Sequence, residues 1–246
     1  MPAHGNLIRW GDQSARVAPW RADSSAALLV PVPGGAPPSA EFVRRCLRLL
    51  ARQGYDKVVT GALAPDEQAG FLEAGFEVRE RLHLLILDSG TPLPEVPPGP
   101  ALHRPWGRRR DGALEVDAAA FSPFWRLDST GLQEALEATA RHRFRVVTDG
   151  GGRVVGYAIC GASGGRGFVQ RLAVAPAHQG RGLGCRLLLD GLHWLRSVGA
   201  SLVAVNTQQG NAPALALYRG VGFRDDPDGL CVLSARAEVP ERQAGQ

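Results

Sequence analysis

The chain has 246 residues, 44% hydrophobic and 21% charged, a balance that excludes a disordered polyelectrolyte and fits a globular protein of one large or two small domains. Its four cysteines, Cys46, Cys160, Cys185 and Cys231, lie dispersed in apolar runs without a CxxC, which argues against a disulfide framework and for buried thiols in a reducing compartment. The net charge of +4 is mild and almost wholly arginine, no run approaches the roughly 18 apolar residues of a membrane helix, and the N-terminus lacks a signal core; the expectation is a cytoplasmic protein with neither a nucleic-acid nor a membrane partner.

In chain order, two short apolar runs come first, Ala15–Trp20 and Ala26–Pro31. A helix is predicted from about Ser39 to Gln53, with Phe42, Val43, Cys46, Leu47, Leu49 and Leu50 on its apolar side. Ser39 and Glu41 suit its first turn and Gly54 its end. Lys57–Thr60 reads as a strand, Pro65–Ala74 as a second helix, and Phe76–Leu87 as a closing strand or strand pair. Asp88–Pro100 carries five prolines and reads as a stiff, extended linker. The cluster Arg104, Arg108, Arg109 and Arg110 reads as a solvated strand or loop edge, the alternative being a surface that steers an anionic substrate.

Beyond it, Asp111–Phe121 and Thr130–Ala140 read as two helices, Arg143–Val147 as a strand, Asp149–Arg153 as a hairpin turn, and Val154–Cys160 and Gly167–Val174 as two more strands. Pro176, which has no N–H for a ladder, stops the last of these. Gln179-Gly-Arg-Gly-Leu-Gly184 follows, and from Leu183 a helical pattern begins: Leu183, Leu187, Leu188, Leu192 and Leu195. Strand, glycine-rich loop and helix together let backbone approach a ligand and offer the free N–H groups of a helix start, which is the chemistry of a phosphate site. Neither the GxxxxGK[ST] nor the GxGxxG pattern is present. Ser201–Asn206 reads as a strand, Asn211 as the cap of a helix carrying Tyr218 with Pro213 in its first turn, and Phe223–Ser234 as the closing strand. His142, His178 and His193 are scattered without metal-ligand spacing, so no metal is expected.

The order repeats. Pro31 matches Pro176, Leu47 matches Leu192, Leu50 matches Leu195, Gly54 matches Gly199 and Val58 matches Val203, each 145 positions on; Phe71, Gly75 and Phe76 match Tyr218, Gly222 and Phe223, each 147 on. The expected organisation is a shortened copy over 1–87, a linker over 88–101, a full copy over 102–238 and a flexible tail over 239–246. In the first copy Val32–Ser39, with three prolines, stands in place of the glycine loop, and Phe71 replaces the tyrosine; three N–H donors and one hydroxyl are lost, so this copy is not expected to bind the same ligand productively.

Gln179-x-x-Gly182-x-Gly184 after a strand ending Leu172-x-Val174 resembles the acetyl-CoA loop of the GNAT N-acetyltransferases. Asn211 followed by Leu217-Tyr218-x-x-x-Gly222-Phe223 resembles the same family's next segment. The two-copy layout is similar to that of mycothiol synthase, and the second copy's motifs resemble the ribosomal-protein N-terminal acetyltransferases. The resemblance implies an α/β mixed-sheet GNAT fold in two tandem domains, the first truncated. It implies transfer of an acetyl group from acetyl-CoA to a primary amine, a small molecule or a peptide N-terminus, by direct attack in a ternary complex, in a monomer or homodimer. Leu172, Ala173 and Val174 are implied to line the pantetheine arm, with the Leu172 N–H at the acetyl carbonyl. Gln179, Gly180, Arg181, Gly182, Leu183 and Gly184 are implied to hold the pyrophosphate, Asn211 to touch the arm, and Tyr218 to be the general acid. Many relatives place a glutamate near Leu172; here Gln170 and Arg171 stand there, leaving a water chain, a carboxylate from elsewhere (Glu115, Asp117 or Asp128) or lost activity as the options. Trp125, Asp128 and Gln170 are the candidate acceptor contacts; Asp128 reads equally as a helix cap. The reading from another class is a non-catalytic acyl-CoA-binding or regulatory module.

Overall fold

Alternating strands and one-sided helices build two compact units, and the computed structural model describes residues 6–21, 23–32 and 34–237 of them. The first unit comprises residues 1–83 and 227–246, the second residues 84–226. These limits differ from the predicted sequential halves: the end of the strand over 77–88 belongs to the second unit, and residues from 227 on belong to the first. Leu85 and Leu87 accordingly sit in the core of the second unit, and Cys231 and Leu233 in that of the first. The predicted tail over 239–246 lies outside the described residues.

The first unit contains β1 (Asn6–Trp10), β2 (Gln13–Trp20), β3 (Asp23–Pro31), α1 (Ala40–Arg52), β4 (Lys57–Leu63), α2 (Pro65–Glu73), the start of β5 (Glu77–Asp88) and most of β11 (Arg224–Arg236). Its strands run in the order β1-β2-β3-β4-β11; β3 and β4 are parallel and the other pairs antiparallel. Phe42, Val43, Cys46, Leu47 and Leu50 form the buried stripe of α1, as the three-and-four spacing predicts.

The second unit contains β6 (Leu102–His103), α3 (Arg108–Ala120), a 3-10 turn (Pro123–Trp125), α4 (Ser129–Glu137), β7 (Arg141–Thr148), β8 (Val154–Ser163), β9 (Arg166–Val174), a second 3-10 turn (Pro176–His178), α5 (Leu183–Ser197), β10 (Leu202–Gln208) and α6 (Ala212–Val221). The order is β10-β9-β8-β7-β6, with β9 and β10 parallel. β8 is buried along nine of its ten residues because α3 and α4 cover one face and α5 the other. The arginine cluster is no strand or loop edge throughout: Arg108, Arg109 and Arg110 make the first turn of α3.

The predicted linker loses Asp88 to the end of β5; Ser89–Pro100 has no regular structure, yet its carbonyls are bonded. Arg196 donates to Thr91 O, His193 Nε2 bonds Pro94 O at 2.9 Å, and Arg186 donates to Pro97 O and to Pro100 O. Extended proline-rich backbone makes no internal bonds, so its carbonyls are open to the polar side of α5. Leu93 and Val96 pack on the core beneath.

The repeat is visible in geometry. Phe42, Val43, Cys46, Leu47 and Leu50 recur 145 positions on as buried Leu187, Leu188, Gly191, Leu192 and Leu195. Gly54 and Gly199 both have positive φ, as do Gly75 and Gly222. One match fails. The parallel ladders set Ala27 against Val58 and Gly167 against Val203, so fifteen residues separate Ala27 from Phe42 and twenty separate Gly167 from Leu187. Pro31 is therefore not the equivalent of Pro176; the first unit's connection is five residues shorter. No helix among the described residues is long and apolar enough to cross a membrane.

Candidate active site

The site begins where a ladder ends. β9 pairs with β10 only through Arg166–Leu202, Gly167–Val203 and Phe168–Ala204. On the other edge β9 stays paired with β8 through Val174. Ala175 N–H donates to Val155 O, and Ala173 O faces Gly156, so odd-numbered residues at this end of β9 turn their backbone groups to β8. By alternation Leu172 and Val174 turn theirs toward the β10 side, past the end of that ladder. An open strand edge, with the N–H and C=O of Leu172 and the N–H of Val174, is therefore available to an extended amide chain.

At the end of β9 the Gln179 side-chain amide donates to Val174 O at 3.0 Å and holds the loop against the strand. Gly180 and Gly182 have φ of +72° and +77°, a conformation L side chains rarely adopt. Gly182 is the N-cap of α5 and has no side chain to cap with. The first intrahelical bond is Arg186 N–H to Gly182 O, so the N–H groups of Leu183, Gly184 and Cys185 have no acceptor within the helix. A Cβ at Gly184 would stand 3.5 Å from Leu217 of α6. Arg181 is exposed beside this cradle.

Asn211 caps α6: its carbonyl accepts from Ala214 N–H at 3.3 Å, and its amide donates to Thr207 at the end of β10. Tyr218 is 5% exposed, its ring 5.7 Å from that of Phe223. Burial pushes its hydroxyl well above the ordinary phenol range, and nearby Cys160 pushes the same way.

A bulge shapes the middle of β9. Arg171 pairs with Ile159 and Val169 with Cys160, so Gln170 is the extra residue. Val169 and Leu172 face the α5 side and Ala173 the α3 side, while the bulge sends both Gln170 and Arg171 to the α3 side. Arg171 is spent there. It donates to both oxygens of Asp117, at 2.8 and 3.1 Å, and to Trp125 O at 2.6 Å, and it lies 3.6 Å over the Phe121 ring. Asp117 also accepts from Tyr157 Oη and from Leu127 N–H at 2.7 Å. Burial, with Asp117 beside it, raises Tyr157 far above the phenol range. Asp117 is thus a fully bonded structural carboxylate that ties the 121–127 segment to β9, and it is withdrawn as a candidate base. Asp128 accepts from Gly131 N–H at 2.7 Å as the cap of α4, so of its two readings the cap is the one realised. Glu115 points elsewhere, 3.8 Å from Arg153, in a cleft of about 310 Å³ that also includes Val154, Ala175 and His178. Trp125 enters the site through its carbonyl.

Gln170 remains. Its Oε1 is buried and, among the described residues, accepts no hydrogen bond. The side chain lies across Gly161: a Cβ there would come within 2.8 Å of Oε1 and 2.3 Å of Thr139 Oγ1. Tyr157, Thr139 and Gly161 were not legible in the sequence, because a bulge is set by the register of the partner strand. Among the described residues no group of three His, Cys, Asp or Glu is placed to hold a metal ion.

The protein has the GNAT acetyltransferase fold, a mixed α/β architecture whose parallel strands open beside a glycine-led helix. Residues 111–223 match the model of the acetyltransferase (GNAT) family. Among solved structures the chain is similar to a tandem GNAT protein from the clavulanic acid biosynthesis pathway, at TM-score 0.68 and 16% identity, covering 97% of this chain and 85% of that one. It is similar to a GCN5-related N-acetyltransferase from Kribbella flavida, at TM-score 0.62 and 17% identity over 94% and 89% of the two chains. A GNAT-family acetyltransferase from Novosphingobium aromaticivorans gives TM-score 0.62 and 18% identity over 94% and 91%. No curated protein matches.

Proposed function

We propose that the chain is a tandem GNAT protein with one working site, in the second unit, which transfers an acetyl group from acetyl-CoA to a primary amine. The single observation that carries this is the open edge of β9 running into an uncapped, positive-φ glycine loop. When bound, acetyl-CoA supplies an activated thioester. Leu172 and Val174 offer it backbone pairing, the Leu172 N–H serves a developing oxyanion, and the first turn of α5 with Gln179–Gly184 holds the pyrophosphate. Asn211 lies at the mouth of the same opening. Tyr218, kept protonated by burial, gives its Oη proton to the leaving sulfur.

The first unit serves as a non-binding partner copy. Its helix start is closed by its own chain: Gln13 Oε1 takes the Ser39 N–H at 2.6 Å, Ser39 Oγ takes the Phe42 N–H, and Gly70 of α2 packs on Pro38. A non-catalytic acyl-CoA-binding module is the second reading, favoured by the engagement of Asp117 with Arg171 and Tyr157.

Calorimetric titration with acetyl-CoA is the test. One site per chain is expected, weakened about 100-fold or more by Gly182→Glu, which strains a left-handed position and sets a carboxylate against the phosphates. Tyr218→Phe is expected to lower kcat about 100-fold at unchanged acetyl-CoA affinity. Two sites, or none, overturn the proposal; binding with no thiol release from either protein selects the binding module.

A further inference from the structure

The outer edge of the second unit's sheet carries arginines that the described residues leave largely unneutralised. β7 pairs with β8 along its whole length, but on its other side it meets only β6, through Val147 and Val146. Residues 141–145 therefore have no strand on that side among the described residues, and every second one turns its N–H and C=O outward. Arg143 reaches Asp190 of α5. By alternation Arg141 and Arg145 share that face, while Phe144 and Val146 belong to the core on the other.

Asp190 is taken up by Arg143, whose two donors hold its oxygens at 2.7 Å. Arg145 is left half-buried, its guanidinium on Phe144 O at 3.0 Å rather than on an acid. Burial holds it below the ordinary guanidinium range, and Arg143 and Arg104 push the same way against Asp190. Arg104 comes one residue after the β6 ladder and is exposed; its guanidinium lies 4.7 Å over the ring of Trp106, which is 69% exposed. Arg108, Arg109 and Arg110 follow in the first turn of α3, at the positive end of the helix, with Asp111 as the one acid of that turn. Charge on a bare strand edge guards against edge-to-edge association, but a guard needs only exposure. Here like charges stand side by side and one of them is half-buried, an arrangement that costs stability until an anion joins it.

We infer that the edge formed by Arg141, Arg143 and Arg145 of β7, with Arg104 and Trp106 beside it, docks an extended acidic segment of a partner protein as an added strand. The segment lies in line with β6, where β6 stops, and its backbone pairs with the outward groups of residues 141–145. Carboxylates at alternate positions reach Arg141 and Arg145 on the α5 face, and the guanidinium fork takes each one bidentately. One small anion would not span the site, since residues 141 to 145 cover about 13 Å of extended chain. A second copy would set arginine against arginine. A nucleic acid would meet the charges and the indole but leave the strand edge unbonded. The site uses none of the residues assigned to acetyl-CoA and stands apart from the acetyltransferase reading.

The test titrates the full chain into a labelled heptapeptide of alternating glutamate and valine and reads fluorescence anisotropy at low salt. Saturable binding is expected, weakened about tenfold in roughly 0.5 M salt. The glutamine–valine counterpart should bind about 30-fold more weakly. Methylation of alternate backbone nitrogens should weaken the acidic peptide about tenfold, which charge alone would not do. Arg104→Gln combined with Arg145→Gln should weaken binding about 100-fold while the melting temperature holds or rises, because a like-charge contact is removed. Arg141→Gln should weaken it about threefold, and Arg48→Gln, on the exposed side of α1 in the first unit, should leave it unchanged. No saturable binding, equal binding of the glutamine or the methylated peptide, indifference to the double substitution, or a preference for a single-stranded oligonucleotide of equal charge overturns the inference.

Discussion

The two units start a helix after a parallel strand in opposite ways. In the first, Ser39 caps α1 with its hydroxyl, and Gln13 and Pro38 close the approach. In the second, Gly182 caps α5 with nothing, and Gly184 stands beside Leu217 of α6. The same orphan N–H groups can serve stability or a ligand, and a side-chain cap consumes what a phosphate would use. One unit spends its helix start on itself and the other leaves it open.

The largest effect expected falls on the second unit's buried pair. Asp117→Asn leaves Arg171 buried without its counter-charge and should cost about 4 kcal/mol, read from denaturant midpoints; a cost near zero would mean that the 121–127 segment is held by other contacts. Next is the closure of the first unit. A Cβ at Gly70 would lie 1.8 Å from Pro38 O, so Gly70→Ala should cost about 3 kcal/mol while the acetyl-CoA stoichiometry stays at one. A second binding event in that variant would show that the closure is what keeps the first unit from binding.

Alkaline pH should separate the units further. Burial pushes the thiols of Cys46 in one unit and Cys160 in the other up to about 12. In the unfolded chain they ionise near pH 8.5, so their stabilisation is complete below that and declines above it. Tyr157 and Tyr218, both in the second unit and both raised, add a further loss of about 1.4 kcal/mol per pH unit each above about pH 10. Thermal melts over that range should therefore steepen for the second unit alone. The smallest effect is Ser39→Ala, about 1 kcal/mol of stability with no change in acetyl-CoA affinity.

The sequence by itself determined the helices, the central strands and the glycine loop. These rest on local periodicity and on glycines at positive φ, which act over a few residues. It misplaced what depends on distant partners. Pro31 matches Pro176 at the 145-residue offset, but ladder register sets the two connections five residues apart in length. Short β1 and β6 carry too few residues to show a period. Asp117 looked like an available base until the fold buried it under Arg171 and Tyr157. The proline-rich stretch reads as a stiff, extended linker, and the fold adds the bonds from the polar side of α5 to its carbonyls. The exchange of strand ends between the units, the bulge at Gln170 and the open edge at Leu172 were decided only by tertiary structure, because each is a relation between strands that lie far apart in the chain.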